Sequence, residues 1–169
     1  MTIFPAGPLA ESAERLFEIV AESPTFQTKG GFANPTEAKV EIHFADVEGQ
    51  RESVVYAVIT PGMQLSFNQI SGGTQNFLYP QGDLGLLMYM VTDPDLYEDD
   101  VQREWEAANF FGGVLQDVAD KAGLDLGDGK GDLAIPGIDL LSYGETKHED
   151  HEDLGRYWIA AASIRFGLE

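Results

Sequence analysis

The sequence predicts an α+β domain: an antiparallel or mixed sheet of about five to six strands, with an N-terminal helix and one long helix packed on a face. Apolar residues recur at helical spacing near the N-terminus and again over 97–122, whereas the stretches between and after them alternate with the period of strands. At 169 residues with 43% hydrophobic residues, the chain has the size of one domain, so we expect residues 1–169 to fold as a single unit.

The first element is a short amphipathic helix over residues 9–21. Leu9, Leu16 and Val20 share one face of it, and charged residues fill the other face. The helix should end by Ser23, because Pro24 disfavours helical geometry at the preceding residue. Residues 29–35 contain two glycines and a proline, so they are expected to form a mobile linker.

The sheet is predicted to begin with a hairpin. Val40, Ile42 and Phe44 alternate with polar residues, and residues 53–60 form a β-prone run that the Pro61-Gly62 pair should end. Residues 84–91 are apolar at successive positions. Such a run is typical of a central strand, buried on both faces.

Residues 68–83 are expected to form a long loop between strands, because glycines and a proline stand there among polar and aromatic residues. An ordinary hairpin loop would explain this composition. Long loops also carry binding surfaces, and Phe77 and Tyr79 would anchor one. The candidate subunit or partner interface therefore consists of Asn68, Gln69, Ile70, Gln75, Asn76, Phe77 and Tyr79.

The long helix is predicted over residues 97–122, from an apolar stripe that steps by three or four residues. Trp105 and Phe111 belong to this stripe and are expected to pack against the sheet. Gly112-Gly113 interrupts it, which indicates a kink or a close approach of a neighbouring backbone.

Two strands are predicted to close the chain. Residues 133–143 suggest a short strand that Pro136 restricts to an edge, a bulge or a strand start, and residues 156–166 alternate as a final strand. An acidic hairpin is expected between them.

The lack of a catalytic motif in the sequence favours a protein that is not an enzyme and holds no cofactor. With no cysteine and no Gly-x-Ser-x-Gly motif, the sequence offers no thiol nucleophile, thiolate metal site or serine elbow. His148 and His151 could share a metal if residues 148–153 were helical, but a solvated hairpin tip explains them better. The acidic residues of the 125–132 loop miss the spacing of a calcium loop, so no metal is predicted.

The charge is the strongest compositional signal. A formal charge of −19 would repel phosphates, so a nucleic-acid groove is disfavoured. The acidity indicates either a solvated surface or a lining past which DNA slides. The sequence has neither a signal-like start nor a run of about 18 apolar residues, so a soluble, cytoplasmic protein without membrane contact is expected.

The order of elements resembles that of the tail terminators of lambda-like siphophages and of related head-to-tail joining proteins. The stretch most similar to this family is residues 153–166, where an acidic start is followed by Gly-Arg-Tyr-Trp and then by the closing strand. The resemblance implies a structural protein of a phage or prophage that closes into a ring, expected to be a hexamer, on the tail tube. It would cap the tube protein and meet the head connector or completion protein, while DNA passes through without specific binding.

Such a protein would be cytoplasmic during assembly and then part of the virion tail or neck. Within the same class, another neck or tail completion protein fits the sequence too. The competing class is a small acidic ligand-binding domain or a metal-dependent enzyme that uses His148 and His151.

Overall fold

The computed structural model describes residues 8–44, 54–72, 75–92, 100–121, 133–147 and 156–168. Four helices and five strands follow one another in these ranges: α1 Pro8–Ala21, α2 Pro24–Gly30, α3 Pro35–Lys39, β1 Ile42–His43, β2 Val55–Gly72, β3 Gln75–Thr92, α4 Asp100–Lys121, β4 Leu133–Lys147 and β5 Arg156–Leu168. The strands form one mixed sheet in the order β1-β2-β3-β5-β4, so the fold is α+β as predicted.

Helix α1 confirms the predicted N-terminal helix and ends before Ser23. The linker prediction over residues 29–35 is largely wrong, because α2 and α3 leave only residues 31–34 outside helices. Ser23 caps α2 by accepting a hydrogen bond from the Phe26 N–H at 3.2 Å, and Pro24 takes the first helical turn. Gly31 ends α2 with a φ of 71°, in the left-handed region that favours glycine.

A second cap begins α3. The Asn34 side chain accepts from the Glu37 N–H at 3.0 Å, and the Glu37 carboxylate in turn accepts from the Ala33 N–H at 2.7 Å. This short helix continues to Lys39, so Val40 becomes its C-cap and is 70% exposed. The strand predicted from Val40 onward is therefore shortened to Ile42 and His43.

The predicted hairpin between residues 40–44 and 53–60 is wrong. Strand β1 pairs with β2 in parallel, with Ile42 opposite Ala57 and His43 opposite Val58. A tight turn can join only antiparallel strands, so a parallel pair requires a longer crossover. Residues 45–53, which make this connection, lie outside the described residues.

Pro61-Gly62 does not end β2, contrary to the prediction. The register shifts there, so that three residues of β2 (62–64) stand where β3 has only Asp83, between the pairs Pro61–Leu84 and Leu65–Gly82. Such an irregularity accommodates a proline, which lacks the N–H that a regular ladder uses. The strand then runs on to Gly72, and β3 is equally long at 18 residues.

The remaining strands follow the sequence more closely. Strand β3 lies at the centre of the sheet, as the apolar run over residues 84–91 predicts. Strand β5 confirms the predicted closing strand, and β4 is the outermost strand beside it, with register shifts at Ala134–Gly137 and Leu140–Ser142. Pro136 falls in the first shift, which agrees with its predicted restriction to an edge or bulge.

The main core lies between the helices and one face of the sheet. It includes Leu16 and Val20 of α1, Phe26 of α2, Phe110 and Phe111 of α4, and alternate residues of β2, β3 and β5. A smaller cluster around the stacked rings of Tyr56 and Tyr89, whose centroids are 4.0 Å apart, lies on the opposite face.

Helix α4 is turned relative to the predicted orientation. Phe111 is 1% exposed, as expected, but Trp105 is 66% exposed and does not pack against the sheet. The buried face of α4 instead uses Arg103, Ala107, Phe110, Phe111, Val114 and Val118. A close approach occurs at Gly113, but to a side chain and not to the predicted backbone: a Cβ on Gly113 would lie 2.8 Å from Thr25 Cγ2 of α2.

Candidate assembly surface

The candidate interface residues lie on strands and not in a loop, which corrects the prediction for residues 68–83. Strands β2 and β3 pair continuously from Leu65–Gly82 to Gly72–Gln75. The partner strand β5 pairs with β3 only from Gln81 onward. Residues 67–72 and 75–80, here named the hairpin arm, therefore pair only with each other among the described strands.

The register of the arm brings the predicted residues together. Asn68 stands opposite Tyr79, and Ile70 stands opposite Phe77. Since residues on a strand alternate between its faces, these four positions belong to one face of the ladder. Gln75 is opposite Gly72 and continues that face, whereas Gln69 and Asn76 occupy positions of the other face. The seven residues thus form one two-stranded element.

The sequence contains signals that could have identified this arm. Leu65 and Phe67 alternate before the Gly72-Gly73 pair, and Phe77 and Tyr79 alternate after it. Adjacent glycines between two alternating runs are typical of a tight hairpin turn. Pro80 marks the base of the arm, one residue beyond the last β5-paired residue, Gln81. A strand with only one neighbour tolerates proline more easily than a central strand does.

The helical layer that supports the sheet is held by ion pairs between helices. Lys29 of α2 pairs with Glu106 of α4, Lys39 of α3 pairs with Glu18 of α1 at 2.7 Å, and Lys121 of α4 pairs with Glu22 at 2.5 Å. The three lysines whose side chains the structure describes are thus all used inside this layer. They do little to neutralise the acidic excess elsewhere on the chain.

Asp117 connects α4 to the start of α2. Its carboxylate accepts hydrogen bonds from the Ser23 hydroxyl at 2.7 Å and from the Thr25 N–H at 3.1 Å. Partial burial by itself raises the pKa of Asp117. The hydrogen bonds from Ser23 and Thr25 and the charge of Lys121 outweigh it, and the pKa falls below its ordinary 3.8. The ionised carboxylate is therefore a structural tie between the two helices.

Two features of the described ranges bear on the alternative of an enzyme or ligand-binding domain: His43 and a cleft between α2 and α4. His43 lies 3.9 Å from the Glu41 carboxylate and contacts the edge of Tyr56, and no group of three or more metal-binding side chains occurs there. An open cleft of about 530 Å³ between α2 and α4 is lined by Pro24, Thr25, Thr28, Lys29, Asn109 and Phe110. His148, His151 and the 125–132 loop lie outside the described residues.

Comparison with known proteins gives a likeness to solved structures but not to a family or a curated protein. No family model matches the chain, and no curated protein is significantly similar to it. The chain is similar to one in a solved structure described as "Virion of native gene transfer agent (GTA) particle", with 12% identity and a TM-score of 0.45, over 96% of this chain and 99% of that chain. At this degree of similarity, the function has to be argued from the residues themselves.

None of the described helices combines the length and apolar character needed to cross a membrane.

Proposed function

We propose that the protein is a structural subunit of a tailed-phage or prophage virion, a tail terminator that forms a ring on the tail tube and joins it to the head connector. The hairpin arm is the observation that carries this proposal. Its partners would be other copies of the chain, the tail tube protein and a head completion protein, and DNA would pass without specific binding. In this role it would act in the cytoplasm during assembly and then belong to the tail or neck of the virion.

The arm supports assembly because of how little of the described chain holds it. A two-stranded hairpin is at best marginally stable in water without a third strand or a helix against it. The sheet supplies β5 as a third strand only from Gln81 onward, and the 12 residues of the arm have none. An arm that extends from a well-packed sheet gains stability when a second protein covers it, as happens in a ring or on a tube.

The charge supports the same function. The helical layer uses its described lysines in Lys29–Glu106, Lys39–Glu18 and Lys121–Glu22 pairs. Most of the net charge of −19 must then be presented to solvent or to partners. A ring of such subunits would present a negative lumen, and DNA would pass through it without adhering.

Removal of the arm tip tests the proposal. Deletion of residues 72–75 should weaken ring formation or tube capping while the domain stays folded, because Gly72 and Gln75 form the last pair of the β2–β3 ladder, beyond the residues that pair with β5. Circular dichroism and thermal unfolding would report the fold, and electron microscopy of tubes with the added protein would report capping. Normal capping by the deletion variant would refute the role of the arm.

A matched pair of substitutions makes the test sharper. Ile70→Asn with Phe77→Asn changes one facing pair of the arm, whereas Ala119→Asn places the same residue at an exposed position on α4. The double variant should lose assembly, and the control should retain it. Equal assembly by both would contradict the proposed use of this face. Binding to a head or neck component without capping would instead favour a neck protein.

A further inference from the structure

The large apolar side chains that the described residues expose are confined to two sides of the sheet. Five of the seven lie on α4 and β4: Val101, Trp105, Leu140, Leu141 and Tyr143. The other two, Val40 and Val54, lie at the side of β1 and β2. Monomeric proteins expose single apolar residues freely, but a group of five on adjoining elements is typical of an interaction surface.

The larger group is here named the outer patch, and Tyr143 connects it to α4 and to the buried Trp158 of β5. The Tyr143 hydroxyl lies 3.4 Å from a Glu104 carboxylate oxygen of α4, and the Tyr143 ring lies 6.3 Å from the ring of buried Trp158. Helix α4 and strand β4 therefore present these side chains from fixed positions. Trp105, at 66% exposed, is the largest of them.

The outer patch adjoins an open edge. Strand β4 is outermost in the described sheet, so the backbone groups on its free side have no described strand beside them. An open edge next to exposed apolar side chains is suited to bind another chain. At the other end of the sheet, β1 pairs only with Ala57 and Val58 of β2, and no other described strand pairs with the rest of that edge.

The two edges are complementary in direction. Strands β1 and β2 run the same way, and the antiparallel pairings of β2–β3, β3–β5 and β5–β4 make β4 run opposite to both. A copy placed next in line in the same orientation would set its β1 side against β4 with the strands antiparallel. Antiparallel pairs are the commoner arrangement in sheets.

Two features disfavour a symmetric contact of the outer patch with its own copy. Glu104 adjoins Trp105 on α4, so a patch that met its own copy would bring two Glu104 carboxylates together. A head-to-tail contact would cover Val40 and Val54, whereas a symmetric contact would leave both in water.

We infer that the outer patch binds a second copy of this chain through that copy's β1 side, around Val40 and Val54. This inference rests on the proposed function, since it names the contact by which neighbouring subunits of the ring meet. Because the contact joins two different surfaces, it can be repeated from one copy to the next. The copies close into a ring only when the rotations between successive copies add up to a full turn.

Engineered cysteines test the contact directly, because the natural chain has none. The double variant Leu141→Cys with Val54→Cys should form ladders of disulfide-linked chains under mild oxidation, up to the size of the wild-type oligomer. Leu141→Cys mixed with Val54→Cys on separate chains should give dimers that contain one of each. The control pair Ala119→Cys with Val54→Cys uses an exposed site on α4 about 21 Å along the helix from Trp105, and should give no ladder.

The outcomes separate this inference from the proposed function. Dimers of Leu141→Cys alone would show a symmetric contact and overturn the inference. If the double variant does not cross-link although the wild type forms its oligomer under the same conditions, the inference is also overturned. The proposal that the protein forms a ring would not be affected by that result. A wild type that forms no oligomer, alone or on tail tubes, would overturn both.

A second measurement does not depend on cysteine geometry. Trp105→Gln should abolish the oligomer by light scattering, and Ala119→Gln on the same helix should leave it unchanged. Both variants should unfold at the temperature of the monomeric wild type, because both sites are exposed. An intact oligomer with Trp105→Gln would contradict the inference.

Discussion

Trp105 and Phe111 belong to the same apolar stripe of α4, but the structure predicts a large loss of stability on removal of Phe111 and a small one on removal of Trp105. Phe111 is 1% exposed and contacts the edge of the Phe110 ring at a centroid distance of 5.4 Å. A buried Phe→Ala substitution costs about 3–5 kcal/mol, since it removes apolar contacts and leaves a cavity. Trp105 is 66% exposed, so Trp105→Ala should cost about 0.5 kcal/mol or less.

Thermal unfolding of the monomer at low concentration measures both effects. For a chain of 150–250 residues, 1 kcal/mol shifts the melting temperature by about 2–4 °C, so Phe111→Ala should lower it by about 6–20 °C. Trp105→Ala should lower it by about 2 °C or less. Urea unfolding would give the same order as free energies. Equal losses, or a larger loss for Trp105→Ala, would show that α4 presents the other face of its stripe to the sheet.

The remaining predictions concern the contact between α2 and α4. Gly112→Ala should stabilise the protein by about 1 kcal/mol, since no neighbouring group lies within 4 Å of the added Cβ, whereas Gly113→Ala should destabilise it by contact with Thr25. Chemical denaturation measures both free energies of unfolding, and changes of the same sign would contradict this prediction. Because the folded pKa of Asp117 is lowered, its contribution is present above the ordinary value of 3.8 and is lost as the pH falls through the folded value. Asp117→Asn should therefore have a lower free energy of unfolding than the wild type at neutral pH, and the difference between the two proteins should shrink in acid. A difference that does not change with pH would contradict this prediction.

The sequence predicts the elements that have strong periodicity, but it does not predict where most of them begin and end. Helix α1, the central strand β3, helix α4 and the closing strand β5 all follow patterns that extend over many residues. Prolines mark the ends of helices in the sequence, but they also mark the beginnings of the next ones. Pro24 and Pro35 do stop what precedes them, but each also begins a helix behind a capping residue, Ser23 or Asn34.

The errors in the sheet have a different cause. A strand that contains Pro61-Gly62 looks ended when considered alone, but pairing with β3 carries the backbone through a register shift. The parallel pairing of β1 depends on where distant parts of the chain meet, and local patterns hold no record of that. The orientation of α4 is similar: a stripe from Val101 to Val118 is wide enough that either edge could face the sheet, and packing selects the Phe110 edge.

The candidate interface residues lie on paired strands, whereas the sequence predicts a loop over residues 68–83. The sequence indicates that residues 68–79 lie outside the core, and the structure adds that they form one paired arm beyond the end of β5. The outer patch was not predicted, because Trp105 was assigned to the core. An exposed tryptophan can be distinguished from a buried one only after the helix is oriented on the sheet.

The most direct test of the proposed function is electron microscopy of tail tubes assembled with and without this protein, using the tube subunit encoded in the same genome. The proposal predicts a ring at one end of each tube, shorter tubes as the protein is added, and loss of both effects in the arm deletion. Tubes of unchanged length with no density at their ends would contradict it.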